Sequence, residues 1–262
     1  LMRDNDFRYV FIGIESGDEA ALNDTKKGQN TAMRVEDVIR TVNGYGIIVN
    51  TGIILGFDGE SEAAAEKMLE MVKKTGVFPT LVLPLHALPN TQLARRLARE
   101  GRLFDGGLKM KTDQRTDTAT TGLNFKTIRP RVAILRDLAH VLEELYRPEN
   151  HYARVALVTR QLHTRHKFRP PLKKLPGLVR AFAGIAREMT SDRATAPLFW
   201  RALGRALVKN PGAFELVVGQ AVMNANYARQ SRSYVEALRA QIAEVERVGE
   251  TAFNASQIAA QA

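Results

Sequence analysis

The chain has 262 residues, 38 Lys+Arg against 28 Asp+Glu for a formal net charge of +10, and 45% hydrophobic residues. That length can bury a sizeable core as one large domain or two modest ones. The absence of cysteine excludes disulfides, thiolate-held metals and a cysteine nucleophile, and no run of about 18 apolar residues could span a bilayer.

Taken in order, residues 7–15 read as a buried strand, aromatic and β-branched with no charge after Arg8 until Glu15. A polar stretch leads to a helix over 32–45 with Val35, Val38, Ile39 and Val42 at helical spacing, ended by Gly44 and Gly46. Residues 47–57 form a second strand and 61–75 a helix with Met68, Leu69 and Val72 inward, stopped by Gly76. A third strand over 80–85 gives way to a helix carrying Leu93 and Leu97. Alternation at this spacing predicts right-handed crossovers and a parallel sheet. Residues 101–124, rich in Gly, Thr and Asp, read as a loop. Beyond Arg129 the pattern is helical, over 131–145, 150–166, 176–189, 196–209, 211–229 and 234–249, with 251–262 as a disordered tail.

Charge divides the chain along the same line. Residues 1–125 carry 16 Lys+Arg against 17 Asp+Glu, residues 126–215 carry 18 against 7, and residues 216–262 carry 4 against 4. The whole basic excess lies in the middle section, which predicts a division into 1–125 and a helical 126–250.

Ligands of parallel α/β sheets sit outside the carboxyl ends of the strands. Gly13, Glu15 and Ser16 on the end of the first strand, and Gly52, Gly56, Gly59 and Glu60 on that of the second, are therefore candidates to face one pocket. Glycines let backbone approach a ligand, while the acid and hydroxyl can bond ribose or an amino group. Taken alone, each element is equally a helix cap or a packing turn. The order Gly-x-Gly-x-x-Gly is missing, as is a phosphate-loop lysine.

The joint pattern is more specific. Gly13-Ile-Glu-Ser16, Lys27-Gly-Gln-Asn-Thr31, Gly52-Ile-Ile-Leu-Gly-Phe-Asp-Gly-Glu60, Ala87-Leu-Pro-Asn-Thr-Gln-Leu93 and Glu100-Gly-Arg-Leu103 resemble the second half of a radical S-adenosylmethionine (SAM) core. Tyr146-x-Pro-Glu-Asn-His-Tyr-x-Arg-Val155 and Phe199-Trp-Arg-Ala-Leu203 resemble the helical extension of the group with an N-terminal cobalamin-binding domain, which includes hopanoid methylases. The resemblance implies an α/β fold: the C-terminal half of a partial (β/α)6 barrel, three parallel strands, followed by an all-α extension. The alternative is a small open sheet covered by helices. It also implies that Glu15 and Ser16 contact the ribose or amino-acid part of SAM. Ile54 and Gly56 would lie against the adenine, and Leu88, Pro89 and Thr91 would close its other side. None of these is an acid–base catalyst, because the radical chemistry belongs to SAM and a [4Fe-4S] cluster, with cobalamin in some members. The implied substrate is a small molecule, a lipid or a tetrapyrrole.

One departure stands against these matches. The cluster of that family is held by three cysteines, and this chain has none. With its start at Leu1 and an unpaired first strand, it is expected to be the C-terminal part of a longer polypeptide whose N-terminal half holds the cluster; a degenerate gene product is the alternative. The expected location is cytoplasmic.

The basic region admits three readings: a solvated face, phosphate neutralisation on nucleic acid, or peripheral contact of 126–215 with the inner face of a membrane. Rings are sparse around its cations, which disfavours nucleic acid. His140, His151, His163 and His166 read as an exposed basic face rather than a metal site, and Asp113 and Asp117 as part of a substrate loop. The runner-up function is a non-enzymatic module docking through the basic helices.

Overall fold

The computed structural model describes residues 1–5, 7–15, 35–104, 122–163 and 170–259. Strands β1 (Tyr9–Glu15), β2 (Ile48–Leu55) and β3 (Phe78–Pro84) form one parallel sheet in the order β1-β2-β3. Gly13 lies opposite Gly52, and Ile54 opposite Leu83. Helix α1 (Val35–Gly44) precedes β2, α2 (Ala64–Thr75) joins β2 to β3, and α3 (Gln92–Arg99) follows β3.

Alternation along the strands divides the sheet into two unlike faces. Ile14, Val49, Ile53, Leu55 and Val82 point into a core with Ile39 of α1 and Met68, Leu69 and Val72 of α2. On the opposite face, Phe11 of β1 and Leu81 of β3 are 54% and 50% exposed. A side chain added at Gly52 would meet both, so these three positions share a surface. Gly76 ends α2 at φ +74 with its N–H on the carbonyl of Val72, the left-handed stop that favours glycine.

The remaining helices are α4 (Arg131–Tyr146), α5 (Pro148–Gln161), α6 (Leu175–Ser191), α7 (Ala196–Lys209), α8 (Phe214–Val248) and α9 (Glu250–Ala259). The sheet and the helices after residue 125 share apolar packing. Ile134, Leu135 and Leu138 of α4, with Val235 and Leu238 of α8, belong to the same apolar cluster as the sheet. A second cluster gathers Val155 and Val158 of α5, Phe199 and Leu203 of α7, and Leu216, Val217 and Ala221 of α8.

Two expectations need correction. Instead of helices over 211–229 and 234–249, α8 runs unbroken for 35 residues. The polar run Gln230-Ser-Arg-Ser233 mimics a loop, but Ser231 is buried against α4, with its hydroxyl 3.4 Å from the Leu142 carbonyl, and packing outweighs weak propensity. Nor is the described part of the expected tail, residues 251–259, without structure. It forms α9 as far as Ala259 and buries Phe253.

Candidate ligand-binding edge of the sheet

Because the strands are parallel, Glu15, Leu55 and Pro84 lead onto one edge of the sheet. At the end of β2 the chain turns through Gly56, at φ +109, where an added Cβ would stand 2.8 Å from Leu123 Cδ2. Only glycine tolerates both the dihedral and the contact. The turn is held from below by Glu60, whose Oε2 accepts the Gly56 N–H at 2.8 Å. The Glu60 side chain is fully buried, and burial lifts its pKa to about 7 against the opposing backbone N–H groups of Gly56 and Phe57 and the Arg129 guanidinium. Arg129 stands 3.8 Å away and pairs at 2.7 Å with Asp137. Glu60 Oε1 and Arg129 Nη1 are buried without a hydrogen-bond partner, so this charge pair is incompletely satisfied.

Asp58, two residues before Glu60, anchors the turn sideways. It receives Arg96 of α3 at 3.0 Å and both terminal nitrogens of Arg102, at 2.5 and 2.8 Å. The Arg102 Nε donates to the carbonyl of Lys126. Residues 122–125 then run alongside the exit of β3: the Leu123 N–H donates to the Leu85 carbonyl, and the Asn124 amide exchanges two bonds with the Ala87 backbone, at 2.8 and 3.0 Å. Beneath this segment lies Arg131, 2% exposed, whose Nη2 donates to the carbonyls of Leu123 and Phe125. Its guanidinium stands 5.7 Å from the ring centroids of both Phe104 and Phe253, and burial lowers its pKa to about 10.

The structure brings Ile54, Gly56, Leu88 and Pro89 to this edge. Ile54 is half-buried, one alternation beyond Gly52 on the open face; Leu88 is 56% exposed and Pro89 is exposed. Thr91 caps α3: its hydroxyl donates to the Leu88 carbonyl and accepts the Ala94 N–H, so it is engaged in shaping the turn. Glu15 is the last residue of β1, opposite Ile53 across a register shift. Ser16, Asp113, Asp117 and His166 lie outside the described residues. Glu60, expected to face the pocket, turns inward and supports the edge from beneath.

Sequence reasoning passed over His86, just beyond β3. Its Nδ1 is buried without a partner and burial lowers its pKa, which keeps a neutral imidazole at the edge. A histidine at the exit of a parallel strand was the available signal. His151, expected on an exposed basic face, is instead 3% exposed between Phe78 and Tyr152, and burial holds its pKa well below the ordinary value. Among the described residues no group of three His, Asp or Glu could hold a metal ion, and no helix is long and apolar enough to cross a membrane.

Fold and edge define a three-stranded parallel α/β sheet whose carboxyl-end edge is built into a helical domain. Residues 91–240 match the family model described as a domain of unknown function, DUF4070. An uncharacterized methyltransferase of Synechocystis sp. is 33% identical over 249 residues, 93% of this chain and 44% of that protein. A hopanoid C-2 methylase of Rhodopseudomonas palustris is 38% identical over 103 residues, 39% of this chain and 20% of that protein. A probable threonylcarbamoyladenosine tRNA methylthiotransferase of Archaeoglobus fulgidus is 31% identical over 74 residues, 26% of this chain and 16% of that protein. No solved structure matches. The chain belongs to the DUF4070 family, in the hopanoid methylase-like radical SAM group. It spans less than half the length of each of these curated relatives.

Proposed function

We propose that this chain forms the adenosine-binding side of a radical SAM methylating enzyme and the wall of its substrate chamber. The observation that carries the reading is the convergence of Ile54, Gly56 and Leu88 on one edge of a parallel sheet whose adjoining face is open. Phe11, Gly52 and Leu81 would line the interior of a barrel closed by further strands, since among the described residues β1 pairs on one side only.

The residues fit SAM. Gly56 offers backbone without a side chain in the way, Ile54 and Leu88 offer apolar surface for a purine, and His86 offers an unspent ring nitrogen for a polar atom. They do not fit an iron–sulfur cluster: with no cysteine, its thiolate ligands have to come from outside these 262 residues. When bound, SAM and the cluster supply the radical chemistry. What this chain contributes is position: Glu60 and Asp58 fix the Gly56 turn, and Thr91 and Asn124 fix the backbone on either side of Leu88. Cobalamin as methyl carrier and a lipid or tetrapyrrole substrate belong to the same proposal, supported by the methylase relatives.

The test is equilibrium SAM binding by the cluster-loaded enzyme containing this chain. Leu88→Asp and Glu15→Ala are each expected to weaken binding by about tenfold, the scale of one lost desolvated contact. Unchanged SAM affinity in both variants would sink the assignment.

A further inference from the structure

We propose that the α5–α7 cleft and the uncovered start of α6 form one docking surface for an anionic bilayer, with the cleft taking a lipid phosphate. The cleft encloses about 640 Å³ between α5 and α7. Arg160, His163, Arg205 and Lys209 line it, and no acidic residue does. Elsewhere in this domain Arg239 pairs with Glu143, Arg229 with Glu188 and Arg136 with Glu246. None of the cleft cations makes an ion pair among the described residues. One wall also holds Thr159, 8% exposed, whose hydroxyl is buried without a partner. An unpaired cationic group with an unspent hydroxyl suits a phosphate, which accepts from both.

The second observation is the first half of α6. Residues 171–181 are all exposed, and within them Leu172, Leu175, Leu178 and Val179 recur at helical spacing, with Lys173, Lys174 and Arg180 beside them. Phe182 meets Phe214, just past α7, so this half of α6 lies toward the end of α7 that carries Leu207, Val208 and Lys209. Leu207 and Val208 are 53% and 82% exposed. The sequence from 150 to 214 holds 13 Lys+Arg and only 2 Asp+Glu. Exposed apolar residues set among unpaired cations complement an interface that is anionic at its surface and apolar beneath. Nucleic acid would answer the cations but not the leucines.

Co-sedimentation of the intact chain with phosphatidylcholine vesicles, with and without about 30% phosphatidylglycerol, tests this. Binding is expected only to the anionic vesicles and should weaken as salt rises. Arg205→Gln with Lys209→Gln should weaken it about 30-fold, at roughly fivefold per cation removed near the surface. Leu178→Ser with Val179→Ser should weaken it also, while circular dichroism stays unchanged because all four side chains are exposed. The proposal is overturned by equal binding to neutral vesicles, by no binding at all, or by undiminished binding of the Arg205/Lys209 variant. Retention on RNA that anionic vesicles do not compete away would overturn it in favour of a nucleic-acid partner. The readout is binding, so it stands apart from any loss of methylation.

Discussion

Glu60→Gln separates the two forces acting on the support beneath the Gly56 turn. Burial favours the neutral acid, and the backbone N–H groups and Arg129 favour the carboxylate; burial wins, raising the pKa from 4.5 to about 7. A group whose native pKa lies above its unfolded value stabilises the fold fully below the unfolded value and loses that contribution as pH rises to the native one. The window is therefore about pH 4.5 to 7, and a shift of that size corresponds to about 3 kcal/mol. No discount for solvent applies, since the side chain is fully buried. The substituted amide is nearly isosteric with the acid, keeps an oxygen for the Gly56 N–H and cannot ionise. Urea unfolding of both proteins at pH 4, 5, 6, 7 and 8 isolates this group, because every other carboxylate cancels in the difference. Relative to the parent, Glu60→Gln should gain about 3 kcal/mol between the ends of that range and level off above pH 7. A flat difference would show that Glu60 has an ordinary pKa. A difference of opposite slope would show that Arg129 dominates and that the native residue is held ionised.

Two further substitutions probe the edge from other sides. Gly56→Ala places a Cβ 2.8 Å from Leu123 Cδ2 at a dihedral L-residues avoid, and should cost at least about 2 kcal/mol by thermal or urea unfolding, with loss of SAM binding. Full stability would mean that the turn relaxes freely and does not hold the edge in place. Arg131→Met keeps the bulk between Phe104 and Phe253 but strands the carbonyls of Leu123 and Phe125, and should cost about 3 kcal/mol. A neutral effect would mean that apolar filling alone holds residues 122–125 in position.

Much of the sheet could be read directly because its signals are local. Apolar runs of strand length break into Gly13, Gly52 and Gly56, and Met68, Leu69 and Val72 fall on one helical face, so neither feature depends on a distant residue. The helices from 131 onward were legible in place, except where Ser231 hides a packing contact behind a loop-like composition and at α9, which the Ala-, Ser- and Gln-rich sequence made look like a tail. What sequence could not give was which polar residues are spent on structure. Glu60 and Ser231 look solvent-facing by type, yet each is buried by contacts made through space, and a histidine such as His151 differs from an exposed one only in what lies opposite.

The same distinction decides how the edge is built. Its candidate ligand contacts, Ile54, Gly56 and Leu88, come from the β2 and β3 exits and were visible as motifs. Its rigidity comes from residues 58 to 131, through Asp58, Glu60, Asn124 and Arg131, and those partners lie 4 to 44 positions from what they hold. Arg131 also takes the Glu250 carboxylate at its backbone N–H, so α9 closes over the segment that braces Leu85 and Ala87. Each such contact has closed a chain loop whose entropic cost rises only slowly with length, which is why a brace drawn from far along the chain is little costlier than a local one. The helical domain is thus physically joined to the candidate edge, because Arg131 touches Glu250 and Phe253 on one side and bonds the carbonyls of Leu123 and Phe125 on the other.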